Sequence, residues 1–196
     1  MLPYLNFIML DAYFRALEEF SPLDANAKKQ LEEYIVVTKV AKNDFILEQG
    51  AVCNYIYFLD QGFARQFYYK NGKEITEWFA AEKEFCFSIE SYFHHTPSKL
   101  TIQALEDSVV IGLHKDALME LSKEHSQISQ LALNMLSTSL VYSQQRMETI
   151  LFESAKDRYR HLLETKPKII QKVPLAHIAS FLGITQETLS RIRAKL

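Results

Sequence analysis

Leu175-Ala-His-Ile-Ala-Ser-Phe-Leu-Gly-Ile-Thr-Gln-Glu-Thr-Leu-Ser-Arg-Ile-Arg-Ala194 is the most informative stretch of this chain. Pro174 suits the first turn of a helix, where its missing N–H leaves nothing unsatisfied. Leu175, Ile178, Ala179 and Leu182 then recur at the spacing of one helical face. Gly183 stands where that helix must stop, because glycine takes the left-handed cap conformation without a Cβ clash. Thr185 caps a second helix, with Glu187 in its first turn favoured by the helix dipole. Leu189 and Ile192 face inward from this second helix, and Ala179 is small enough to let it cross closely. Helix, short glycine turn, helix is the helix-turn-helix unit. Thr185, Gln186, Glu187, Thr188, Ser190, Arg191 and Lys195 are left outward or at the helix start. These are side chains that hydrogen-bond base edges or hold phosphates. The plain alternative is a helical hairpin with no ligand.

Working back toward the N-terminus, Glu153 to Thr165 reads as a helix and Lys168 to Val173 as a short strand. A stretch without Gly or Pro runs from Gln127 to beyond Leu151 and predicts one long helix. It carries two apolar lines. Leu133, Leu136, Leu140, Ser143, Met147 and Ile150 alternate at spacings of three and four, while Ile128, Leu131, Met135 and Tyr142 form the other. One buried stripe needs only one line. A second line at coiled-coil spacing predicts a seam against another copy of the same helix, with Leu133, Leu136, Leu140, Met147 and Ile150 as the interface. A core helix buried on two sides is the alternative.

Further upstream the period shortens to two. Val36 to Ala41, Phe45 to Leu47, Asn54 to Phe58, Phe63 to Tyr69, Glu74 to Phe79, Leu100 to Leu105 and Val109 to Leu113 are short β-branched or aromatic runs between polar turns. Lys70-Asn-Gly-Lys73 between two of them is a strong hairpin signal, since Asn and Gly tolerate positive φ. Many short strands at this spacing predict an antiparallel sandwich or barrel. Asp11 to Phe20 and a helix capped by Asp24 and reaching Tyr34 precede them, and His114 to Leu121 follows as a short helix. The expected class is α+β, with an antiparallel sandwich or barrel, a long helix and a C-terminal helix-turn-helix.

Composition agrees with a globular chain of one or two domains: 196 residues, 48% hydrophobic and 23% charged. No apolar run is long enough to span a bilayer, and the apolar start lacks the basic flank and cleavage site of a signal peptide, so a cytoplasmic location without membrane contact is expected. Two cysteines, Cys53 and Cys86, form no disulfide framework and read as reduced core residues. Charge is uneven. Residues 1–151 hold 13 Lys/Arg against 20 Asp/Glu, a net of −7, and residues 152–196 hold 9 against 4, a net of +5. A basic tail on an acidic body points to a polyanion, although short segments also fluctuate in charge.

Ile178 to Arg193 closely resembles the DNA-reading segment of the Crp/Fnr family, the catabolite-activator-like regulators, and the short tail resembles a branch common in Bacteroidetes. The order of lead-in helices, β-roll, long helix and DNA module agrees over nearly the whole chain, and the resemblance is specific from Pro174 onward. It makes the sandwich or barrel a β-roll of jelly-roll type, and implies a sensor domain over 1–126, a dimerisation helix over 127–152 and a DNA-binding domain over 153–196. It implies a bacterial, homodimeric transcription regulator and no enzyme. Its partners would be a double-stranded DNA operator, RNA polymerase and, where an effector exists, a small molecule. Glu187 and Arg191 would read bases, flanked by Gln186 and Ser190, with Gln186 standing where many relatives carry Arg. Two recognition helices would sit about 34 Å apart, one DNA turn. Many relatives add a β-hairpin wing after the second helix. Only Lys195 and Leu196 follow Ala194 here, so any wing is reduced to Lys168–Val173.

The family's β-roll often binds a cyclic nucleotide through a Gly-Glu pair and an Arg-Ser or Arg-Thr pair. Phe87-Ser88 and Ser98-Lys99 stand at those places. Phe would obstruct the approach that Gly permits, and Lys99 alone is a weak anion partner. No cAMP binding and no resident cofactor or metal are expected. Two cysteines are too few for a four-cysteine iron–sulfur cluster. His94 and His95, adjacent in an expected loop, make a poor metal pair, because neighbouring side chains point apart on a strand, and with His114 they do not cluster as a cupin-type metal enzyme requires. That enzyme, and an adaptor whose DNA module has lost function, are the rival readings.

Overall fold

A computed structural model describes residues 2–195 of the chain. Met1 and Leu196, expected at the approach to the first helix and in the short tail, lie outside the described residues. Helix α1, Leu2–Glu18, starts nine residues before the expected Asp11 and stops short of Phe20. Helix α2, Ala25–Glu32, is capped as expected by Asp24, whose carboxylate accepts from the Ala27 N–H at 2.8 Å.

Eight strands follow: β1 (Ile35–Val40), β2 (Phe45–Leu47), β3 (Tyr55–Gln61), β4 (Ala64–Lys70), β5 (Lys73–Ala80), β6 (Phe85–Cys86), β7 (Thr101–Ala104) and β8 (Ser108–His114). They form two four-stranded sheets, in the orders β1-β8-β3-β6 and β2-β7-β4-β5. All described pairings are antiparallel. Lys70 pairs with Lys73, and Asn71 and Gly72 take φ of 51° and 73°, so the Asn-Gly hairpin forms as its residues require. Between β6 and β7 lies a short helix, α3 (Ile89–His94), which the sequence reading missed. His94 ends it and His95 follows at a φ of 55°. The loop expected at these two histidines is therefore the end of a helix and its left-handed cap.

Helix α4 (Lys115–Leu121) leads into α5 (Ser126–Phe152), 27 residues long. The two apolar lines of α5 separate in the structure. Ile128, Leu131 and Met135 are buried in one core with Tyr13, Leu17, Leu31, Phe58 and Ile111. Each fully buried aliphatic side chain there stabilises the roll by about 1.5–3 kcal/mol. The other line stays in solvent: Leu133, Leu136, Leu140, Met147 and Ile150 are 57, 39, 70, 55 and 48% exposed.

Helices α6 (Ala155–Thr165), α7 (Pro167–Lys172), α8 (Leu175–Phe181) and α9 (Gln186–Arg193) complete the chain. Helix α7 corrects the expected strand over Lys168–Val173. A strand would put Gln171 on the same face as Ile169 and Val173. Instead Ile169 and Val173 are buried and Gln171 is exposed, the i, i+4 pattern of a helix opened by Pro167 at N1. The reduced wing expected there does not exist as a strand. A second core joins Tyr159, Leu162, Ile169, Val173, Ile178, Ala179, Leu182 and Leu189 to Phe63 and Phe79 of the roll.

Candidate nucleic-acid interface

Backbone chemistry at both ends sets the turn between α8 and α9. Gly183 sits at a φ of 69°, and its N–H donates to the Ser180 carbonyl at 3.0 Å. The Ile184 N–H reaches the Ala179 carbonyl at 3.0 Å. Together these bonds make the paired closure that a glycine after a helix allows. Among the described residues no atom would meet a Cβ at Gly183, so backbone strain is what opposes a side chain there. Gly183→Ala is expected to lower stability by about 1–2 kcal/mol, the cost of a left-handed alanine. Denaturant unfolding checks this, and an unchanged midpoint would contradict it.

Thr185 caps α9: its Oγ1 accepts from the Thr188 N–H at 3.2 Å. The Thr188 hydroxyl lies 3.1 Å from that of Thr185, so Thr188 serves the cap and is half-buried. Leu189 is wholly buried against α8 and Ile192 partly so. What remains outward on α9 is Gln186, Glu187, Ser190 and Arg191, all exposed, with Arg193 and Lys195 beyond them. Hydrogen bonding from Thr185 and the charge of Arg191 hold the Glu187 carboxyl below the usual carboxylate range. It is an acceptor at neutral pH. Donors and acceptors thus project from one helix while its apolar side fixes the angle, and Thr188 is turned to the cap.

The module does not hang free. Helix α8 lies along β5, the edge strand of its sheet. The Ser180 hydroxyl accepts from the Thr76 N–H and donates to the Glu74 carbonyl, both at 2.9 Å, so the helix satisfies an open sheet edge. Arg65 of β4 is only 1% exposed. It pairs with Glu74 at 2.6 Å, stacks on Phe67 at 3.9 Å, and donates to Nδ1 of His177 on α8. Lys166 pairs with Glu84 at 2.9 Å and Lys172 with Glu106 at 2.8 Å. Part of the tail's positive charge therefore meets the acidic roll within the chain. Lys168, Arg191, Arg193 and Lys195 remain exposed. No signal in the sequence identified Arg65, His177 or Ser180 as docking residues, because their partners lie about a hundred residues away.

The Arg65 bond requires a neutral His177 ring. Burial and the Arg65 charge both hold its pKa below the ordinary histidine value, with Glu74 opposing. A depressed histidine pKa means the unfolded chain binds more protons, so stability falls as pH drops below about 6.5 and through the folded value. His177→Gln should flatten that acid limb in thermal unfolding at successive pH values. An unchanged limb would remove His177 as its source.

The expected nucleotide cassette is closed by its own side chains. Ser98 Oγ lies 2.9 Å from Ser88 Oγ and donates to the Leu100 carbonyl at 2.8 Å. Phe87 packs on Tyr92 and Phe93 at centroid distances of 5.3 and 6.4 Å. Lys99 points to Glu90 at 2.8 Å, so its charge is already matched. Calorimetric titration with cAMP should give no saturable heat at micromolar concentrations, and a micromolar isotherm would contradict this. Cys53 and Cys86 are buried, and burial pushes both thiols up, away from the thiolate. Among the described residues no three His, Cys, Asp or Glu side chains gather as a metal site, and no helix is long and apolar enough to cross a membrane.

Residues 37–125 match the cyclic nucleotide-binding domain family. No curated protein matches the chain. Several solved structures do. FixK2 from Bradyrhizobium japonicum is 19% identical, with 83% of this chain and 84% of that one aligned at a TM-score of 0.70. A Crp/Fnr transcriptional regulator from Eubacterium rectale is 19% identical, with 88% and 83% aligned at 0.69. CLP, a c-di-GMP responsive global regulator of Xanthomonas campestris, is 15% identical, with 88% and 91% aligned at 0.68. The chain shares the fold of these solved structures, and its residues 37–125 are similar to a cyclic nucleotide-binding domain.

Proposed function

We propose that two copies of this chain bind a double-stranded DNA operator and regulate transcription in the bacterial cytoplasm. Residues 1–126 serve as the sensor, 127–152 as the dimerisation helix and 153–196 as the DNA-binding domain. The observation that carries this reading is the outward row Gln186, Glu187, Ser190 and Arg191 on a helix locked by Leu189, Gly183 and Thr185. Such a row reads base edges, while Lys195 and Arg193 meet phosphate. The exposed apolar line of α5 supports a twofold partner, since a helix dimer at that seam would bury it.

The relatives named as transcription regulators support the same reading, and RNA polymerase follows as a partner of a regulator. The closed cassette argues against cAMP as the effector. Binding to a library of genomic fragments tests the proposal. Enrichment of a shared motif is expected, and binding without sequence preference would overturn it.

A further inference from the structure

A cavity of about 150 Å³ lies where the DNA module meets the roll and the long helix. Its walls include Trp78 of β5, Tyr142 of α5 and Phe181 at the end of α8. Trp78 and Tyr142 lie 6.1 Å apart at 31°. Arg146, Arg158 and Lys166 also line it, and among the described residues the lining contains no Asp or Glu.

The three cations differ in how far they are satisfied. Lys166 is matched by Glu84. Arg158 donates to the Leu182 and Glu153 carbonyls. Arg146 stacks on Phe181 at 3.9 Å and makes one hydrogen bond among the described residues, to the Phe181 carbonyl. Burial and the nearby Arg158 pull its pKa down to about 10, with Glu77 offsetting only in part. A guanidinium has five donors in a planar fork suited to a carboxylate.

Tyr142, Arg146 and Thr149 occupy the face of α5 roughly opposite Leu136, Leu140 and Met147. A cavity of this size holds about one benzene-sized ring. A neighbouring pocket that shares Gln145, Thr149 and His161 with this cavity is lined by Glu148 and Glu153, which disfavours multiply charged ligands such as nucleotides nearby.

We propose that this cavity binds a small planar organic anion, a benzoate-sized aromatic carboxylate, with the ring among the aromatic walls and the carboxylate on Arg146. The site is separate from the Phe87–Lys99 cassette. Because β5, α5, α6 and α8 all contribute walls, an occupant couples the long helix to the DNA module. That coupling rests on the DNA-binding reading, whereas occupancy does not.

Trp78 is the chain's one tryptophan, so its fluorescence reports on the cavity directly. The full chain titrated with benzoate should show a saturable change with a dissociation constant of about 1 mM or tighter. Benzamide, inorganic phosphate and benzylamine should fail to match it. Arg146→Met, which keeps the apolar stem, should weaken benzoate by about tenfold or more. Thr149→Leu, which fills space without touching a charge, should do the same with the fold retained by circular dichroism. Linear quenching, an equal response to benzamide or phosphate, or full binding in both variants would overturn the proposal. DNA affinity with and without benzoate is measured in parallel. Absence of DNA binding in both would overturn the regulator reading and leave the Trp78 result standing.

Discussion

A chain carrying Leu136→Glu together with Leu140→Glu is expected to run as a monomer and to lose specific DNA binding. Both side chains are exposed within one copy, at 39 and 70%, so the charges meet water and the monomer folds normally. In a helix seam the same positions would face their symmetry mates. Two carboxylates per helix would then be buried without partners, and breaking desolvated charge in this way costs several kcal/mol. A Crp/Fnr-type regulator holds its operator through two half-sites. Loss of the second drops affinity toward the non-specific range, by about 10³-fold or more. Light scattering and circular dichroism together check this. A dimer that persists would move the interface off α5. The contrast is Leu131, wholly buried in the roll core, where the same substitution should unfold the domain itself.

Arg191→Ala is expected to cost about 1–3 kcal/mol of specific binding and to relax preference at one base pair. Arg191 is exposed and makes no salt bridge among the described residues, so stability should hardly change. A guanidinium reads guanine through two parallel bonds, which alanine cannot replace. Lys195→Ala should behave differently, weakening all sequences alike and lowering the salt slope by about one. Competition against single-base operator variants separates the two effects. Unchanged specificity in Arg191→Ala would show that another face of the module reads DNA.

Much of this architecture was legible from local chemistry. Asn71-Gly72 specified its hairpin, Gly183 and Thr185 specified the turn, and the two lines on α5 announced two different surfaces. Each signal lies within a few residues of its effect. The errors arose where local preference conflicted with packing. Ile169 and Ile170 favour a strand by type, but Pro167 and a core formed with Leu162 and Ile178 make them a helix that ends at an extended Val173. Helix α3 is six residues long and β6 two, too short to show a period. Helix α1 begins at Leu2 because its apolar start is itself helical, where the spacing of Phe14 and Leu17 had suggested a later onset.

The docking contacts were illegible for another reason. Arg65 with His177, Ser180 with Thr76, and Arg146 with Phe181 are pairings across the fold. Nothing in the spacing along the chain encodes such partners. The outward row of α9 was the easier part: it needs only the periodicity of one helix, whereas the junction cavity needs five elements brought together.

The most direct test of the central claim is a hydroxyl-radical footprint on an operator selected from random DNA. Two symmetric protected patches are expected, with centres about 10 base pairs, one helical turn, apart. Protection of one isolated patch, or protection spread evenly along the duplex, would contradict it.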